Sequence, residues 1–160
     1  MLNYSSQDKV MRCLYVENQK FNQWWLWIIL LSFPIFAIYP FDLNNINYTY
    51  IFISIVIPLF FYFLELRVFV NSDGLYYQFF PIHLKKYSIS FSEIKKVEAL
   101  KYKPIVDYGG WGIKYGFEGK AYNISGNLGV KIYLFNGKNI LFGSKKHKEF
   151  ETALKKAMKR

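Results

Sequence analysis

The chain has 160 residues, a formal net charge of +10, and 52% apolar residues, with aromatics alone making up 21% of the chain. That length holds one domain plus a small extra element. A single cysteine, Cys13, excludes an intramolecular disulfide framework and a cysteine-based zinc site. The abundance of Lys, Asn, Ile, Phe and Tyr is what AT-rich genomes encode, so the positive charge does not by itself name a partner.

Residues 1–20 form an N-terminal segment carrying Lys9, Arg12 and Lys20. No charged side chain follows over 21–41, and none over 43–64; only Asp42 interrupts. About 20 mostly apolar residues suffice to cross a bilayer, so the pattern predicts a two-helix transmembrane hairpin over 21–66. Trp24, Trp25, Trp27 and Tyr39 flank the first span, and Tyr48 and Tyr50 the second, as amphipathic aromatics at headgroup level would. Pro34 and Pro58 lie inside the spans, where membrane helices tolerate proline better than helices in water do. The loop 42–47 has no Lys or Arg, whereas Lys20 and Arg67 flank the pair. The positive-inside rule then puts both termini in the cytoplasm and the chain in the inner (plasma) membrane. Glu65 and Arg67 are expected to anchor the second span at the water interface. The spacing does not favour a cleavable signal peptide, since the apolar region is too long and no small-residue cleavage site follows. Buried helices of a larger core would show a polar face, and these stretches show none.

Over 67–160 the pattern changes to period-2 alternation broken by turn residues. Strands are predicted at 67–71, 75–80, 87–91, 95–103, near 111–115, 129–135 and 139–142. Asp73-Gly74 and Asn136-Gly137 are hairpin signals. Ser144 is the expected N-cap of a terminal helix whose Phe150, Ala153, Leu154, Ala157 and Met158 fall on one face. That gives seven strands and one amphipathic helix suited to close a sheet.

This order resembles the pleckstrin-homology fold, a seven-stranded barrel or sandwich capped by a C-terminal helix. The whole chain is similar to small bacterial membrane proteins of unknown function that join a two-helix hairpin to a pleckstrin-homology-like domain. The segments carrying the resemblance are Gly109-Gly110-Trp111-Gly112-Ile113, the stretch from Tyr122-Asn123-Ile124-Ser125-Gly126 through Asn127-Leu128-Gly129-Val130, and the stretch from Asn136-Gly137 to Gly143-Ser144. The resemblance implies an architecture and no catalytic residues.

The glycine-rich segment invites two readings. Gly109, Gly110, Trp111, Gly112, Asn123, Ser125, Gly126, Asn127 and Gly129 could form a binding loop with exposed amides, for an anion or a lipid headgroup. They could equally be the bulges and turns that curve a sheet. No phosphate-cradling glycine motif occurs there. Lys85, Lys86, Lys155, Lys156 and Lys159 are candidates for contact with an anionic leaflet, against the plainer reading of a solvated basic face. His83, His147 and Cys13 share no metal-ligand spacing, the Asn123-Ile124-Ser125 sequon is a chance match, and no nucleophile–base pair is evident. The sequence therefore predicts a non-enzymatic binding or scaffold module on a membrane, without cofactor, metal or catalytic residues. Its expected partners are membrane lipids and other membrane proteins rather than nucleic acid. The alternative is an accessory subunit of a larger membrane complex, such as a transporter or secretion assembly.

Overall fold

The computed structural model describes residues 13–38, 48–116 and 119–159, with the side chains of 35–38 left aside. Strand β1 (Tyr15–Lys20) leads into helix α1 (Trp24–Ile38), and helix α2 (Tyr48–Phe63) leads into β2 (Glu65–Val70). β1 and β2 pair antiparallel from Tyr15↔Val70 to Lys20↔Glu65. The two helices therefore continue a strand hairpin, and they pack on each other. β3 (Gly74–Phe80) and β4 (Tyr87–Ser90) complete a four-stranded sheet in the order β1-β2-β3-β4.

A short 3-10 turn (Phe91–Glu93) leads to β5 (Ile94–Lys101), and helix α3 (Pro104–Tyr108) then precedes β6 (Gly112–Gly116) and β7 (Gly119–Asn123). β8 (Leu128–Leu134), β9 (Asn139–Gly143) and helix α4 (His147–Met158) end the chain. The second sheet has the order β5-β8-β9-β7-β6, and its β7–β9 pair is parallel.

Alternation explains how the sheets meet. In β2, Leu66, Val68 and Val70 point inward and are buried, while Arg67 and Phe69 face out. Leu75, Tyr77, Phe79 and Ile89 extend that inner face, and Val97, Tyr122, Val130, Ile132 and Phe142 answer it from the second sheet. α4 adds Phe150, Leu154 and Ala157, which recur at i, i+4 and i+7 and so share one face. Fully burying a side chain such as Phe150 or Leu154 contributes about 1.5–3 kcal/mol. On the outer face of the second sheet, Tyr102, Tyr108, Ala121 and Leu141 form a smaller cluster beneath α3.

Several expectations are corrected. Among the described residues, no helix is long and apolar enough to cross a membrane. Within the described residues α1 has 15 residues and α2 has 16, which at 1.5 Å per residue makes about 22–24 Å, against about 30 Å of hydrocarbon. The reason is physical: a run without charges is not a run of helix. Phe21, Asn22 and Gln23 precede α1, and Leu64 is already leaving α2 for β2. The transmembrane hairpin over 21–66 and the inner-membrane, multi-pass placement drawn from it do not stand. Tyr39 and the loop 42–47 lie outside the described residues. Glu65 and Arg67 are not interfacial anchors; they form a 2.7 Å ion pair within β2.

The seven-stranded barrel or sandwich is corrected as well. The fold is mixed α/β, with nine strands in two open sheets and four helices among the described residues, and no barrel closes. β1 and β7 are the strands without a counterpart in the expected pattern. Ser144 does not cap α4, whose N-cap is Lys146. Instead the Ser144 hydroxyl accepts from the Lys146 amide at 3.0 Å and lies 3.1 Å from the Tyr15 hydroxyl.

Candidate functional site

The glycine-rich segment begins where α3 ends. Gly109 caps α3 in the left-handed region at φ 70°, and Gly110 and Gly112 follow at φ 115° and 118°. Side chains rarely adopt such angles, so the three glycines are needed for the backbone path itself. Their amides are engaged internally. Gly109 donates to the Ile105 carbonyl and Gly110 to that of Pro104, and Gly112 donates to Asn123 Oδ1 at 2.9 Å. Asn123 is fully buried, and its Nδ2 donates to the Tyr102 hydroxyl at 3.0 Å.

The Trp111 indole donates to the Gly126 carbonyl at 2.9 Å, and its ring lies 6.5 Å from that of Trp25 on α1. Gln23, just before α1, donates to the Ile124 carbonyl at 2.7 Å. Gly109 to Gly112, Asn123 and Gly126 are thus brought together as a brace between α3, the β7–β8 turn and the base of α1. Ser125 and Asn127 lie in that turn, and the Asn127 carbonyl accepts from the Tyr102 amide. Gly129 stands apart on β8, where a Cβ would press on the Phe142 carbonyl at 2.6 Å. A shallow groove of about 470 Å³ beside the brace is lined by Lys101, Lys103, Ile105, Val106, Trp111 and Asn127, among others.

The five candidate lysines do not converge. Lys85 and Lys86 are exposed in the loop before β4, at the opposite edge of the first sheet from β1, which α4 contacts. Lys86 lies 5.2 Å over the Phe69 ring. Lys155 pairs with Glu151 at 2.8 Å, one turn earlier on α4, and Lys156 and Lys159 are exposed nearby. His83, His147 and Cys13 lie on separate elements. Among the described residues, no group of three potential metal ligands occurs.

A different cluster occupies the gap between the sheets where β3, β4 and the loop joining them face β7. Tyr77 pairs across the sheet with Tyr87, rings 5.7 Å apart. Tyr77 also lies 4.9 Å from Tyr122 of β7. His83, in the β3–β4 loop, is 4.6 Å from Tyr87 and 5.6 Å from Tyr122, edge to face. Its Nδ1 accepts from the Phe79 amide at 3.3 Å, so in the neutral ring Nε2 carries the proton. Lys120 shares the inner face of β7 with Tyr122; its ammonium lies 4.7 Å over the Tyr122 ring and 5.2 Å over that of Tyr115.

Electrostatics follow from this packing. Burial, and then the Lys120 charge, lower the His83 pKa below its usual value. Burial, and then its hydroxyl bond with Tyr77, push the Tyr122 phenol well above the usual range. Tyr122 therefore remains a protonated phenol. Tyr87 is half exposed, and Lys120 joins this cluster to a cavity of about 540 Å³ at the strand tips of the second sheet, which it lines together with Tyr115, Lys138, Asn139 and Ile140. We call this opening the mouth. Its members come from positions 77, 83, 87, 115, 120 and 122, too dispersed to form a linear motif. The one local signal was Lys120 set between Tyr115 and Tyr122 in a strand-forming stretch.

No protein-family model, no curated protein and no solved structure matches the chain. The resemblance to membrane proteins with a two-helix hairpin and a pleckstrin-homology-like domain is thus corrected on two grounds: no family match, and no helix of membrane-crossing length among the described residues.

Proposed function

We propose that the chain is a non-enzymatic binding module whose ligand enters the mouth between the two sheets. The observation that carries this reading is the side-chain set there: four tyrosines and an imidazole clustered about a half-buried lysine that opens, with Tyr115, on a cavity at the strand tips. Ligand sites are typically concave and mainly apolar, with a few polar groups to fix orientation, and the mouth has that make-up. Binding is favoured over turnover by the state of its groups. The Tyr122 phenol is held protonated, and His83 has its Nδ1 committed to a backbone amide rather than to a carboxylate that would orient it as a base.

The test is native mass spectrometry of the full chain purified from cells in mild detergent. The reading expects a small molecule retained by the wild type and lost from Tyr87→Ala, a half-exposed position whose truncation spares the core. Identical retained content in both proteins would overturn it.

A second reading is favoured by the helix pair. Trp24, Ile28, Leu31, Phe52, Ile55 and Leu59 are among many exposed apolar side chains on α1 and α2, and a helix apolar on all sides is normally covered. On this reading the chain is an accessory subunit whose helix pair docks against apolar helices of a partner protein. The expected result is a complex of defined stoichiometry that Phe52→Ser/Ile55→Ser releases while the circular dichroism of the sheets is kept. Retention of the complex by that variant, or lipid alone on the wild type, would remove this reading.

A further inference from the structure

We infer that the mouth recognises a phosphoryl group carried on a flat ring, which specifies the ligand class for the binding reading above and rests on it. The mouth presents donors. Lys120 and Lys138 offer two ammonium groups that line the same cavity, and His83, whose Nδ1 accepts from a backbone amide, keeps an Nε2–H in the cluster beside Tyr122. Asn139 and the Tyr115 ring line it too, and among the described lining residues there is no carboxylate.

Lys120 has no ion-pair partner among the described residues, and its charge rests only against the faces of Tyr115 and Tyr122. An ammonium partly withdrawn from water gains from an anion more than an exposed one does, because the local dielectric is lower. A phosphomonoester carries about −1.5 to −2 charges near neutral pH, which matches two lysines better than a carboxylate does. Lysine is an established point-charge binder of phosphate.

The second half of the ligand follows from the walls. Tyr115 is the exposed ring that lines the cavity, and Tyr122 is the buried one beneath the same Lys120 ammonium, with Tyr77 4.9 Å beyond it. Aromatic faces at such spacing favour an offset or edge-on ring. The backbone at the strand tips also leaves room. Gly119 holds φ 111° and Gly137 φ 80°, and both border the cavity without a side chain.

The experiment titrates the full chain, in mild detergent, with phenyl phosphate, inorganic phosphate, benzoate and sodium chloride, following tyrosine fluorescence and the His83 ring resonance. The inference expects saturable binding of phenyl phosphate, about tenfold tighter than inorganic phosphate because of the added ring contact. Benzoate should bind more weakly than either. Lys120→Met should weaken phenyl phosphate at least tenfold and Lys138→Met less, while Lys120→Arg keeps most of the affinity. Lys148→Met on the distant α4 serves as the control and should change nothing.

Equal binding of benzoate and phenyl phosphate would overturn the phosphoryl assignment. Equal affinity in Lys120→Met and wild type would overturn the role of the lysine. If no probe saturates, the phosphoryl inference fails; the binding reading itself fails only if the purified chain also shows no retained molecule sensitive to Tyr87→Ala.

Discussion

The space between the two sheets is finished differently on its two sides. On one side α4 fills it: Phe150 stacks on Tyr15 at 4.8 Å and meets Phe142 edge to face, and Leu154 is fully buried beneath. On the other side no helix intervenes among the described residues, and Tyr77, His83, Tyr87, Lys120 and Tyr122 meet there. Both sides are aromatic, so aromatic content alone does not set them apart. What differs is the polar atoms. On the α4 side they are largely paired with one another: Tyr15 donates to Glu17, the Lys145 amide donates to the same carboxylate, and Gln19 Nε2 donates to the Gly143 carbonyl at 2.7 Å, while Gln19 Oε1 and His147 Nδ1 are buried without a partner among the described residues. At the mouth the Lys120 ammonium has, among the described residues, ring faces against it and no ion-pair partner. A filled side stabilises the fold, and an open side with unspent donors is where a ligand can gain.

Breaking the closed side should have the largest effect. Leu154→Asp would place a carboxylate in the apolar core, where Leu154 is fully buried, at a cost of several kcal/mol against a total stability of about 5–15 kcal/mol. Thermal denaturation followed by circular dichroism should show a protein unfolded or losing α4. A near-wild-type melting curve would mean that α4 does not close the sheets.

A smaller loss is expected from Gly119→Ala at the rim of the mouth. At φ 111° a side chain is strained, and a Cβ there would collide with the Asn139 carbonyl across the parallel β7–β9 pair. Backbone strain of this kind costs about 1–3 kcal/mol, read as a lower denaturant midpoint. An unchanged midpoint would contradict the β7–β9 register.

The smallest expected effect is one of pH. His83 is held below its usual pKa, so the unfolded chain takes up its proton more readily than the folded one does. Its contribution to stability is complete above the unfolded pKa of about 6.5 and declines as pH falls through the lower folded value. His83→Gln should flatten this part of the stability–pH curve, and an identical slope in both proteins would show that His83 is not shielded within the mouth.

Legibility in the sequence tracked local chemistry. Gly109 to Gly112 could be read as a special backbone because positive φ is a local demand that glycine answers. The inward stripes of β2 and α4 were readable for the same reason, since period and burial coincide there. β1 was not, because its inner positions include Gln19, which is buried through a bond to Gly143 far along the chain. β7 was hidden by its five residues and by a parallel partner out of sequence order. The helices were misjudged in length because α1 and α2 share their uncharged runs with the segments that join them to strands. The mouth could not be read at all, since it exists only once β3, β4 and β7 are placed face to face.

The measurement that bears most directly on this account is the tyrosine-ring spectrum of the full chain, labelled at tyrosine and titrated with phenyl phosphate. Tyr77, Tyr87 and Tyr122 line the open side and Tyr15 the closed one, so one titration reads both. The account predicts saturable shifts at Tyr77, Tyr87 and Tyr122 with Tyr15 unmoved. Shifts centred on Tyr15, with the three mouth tyrosines unchanged, would contradict it.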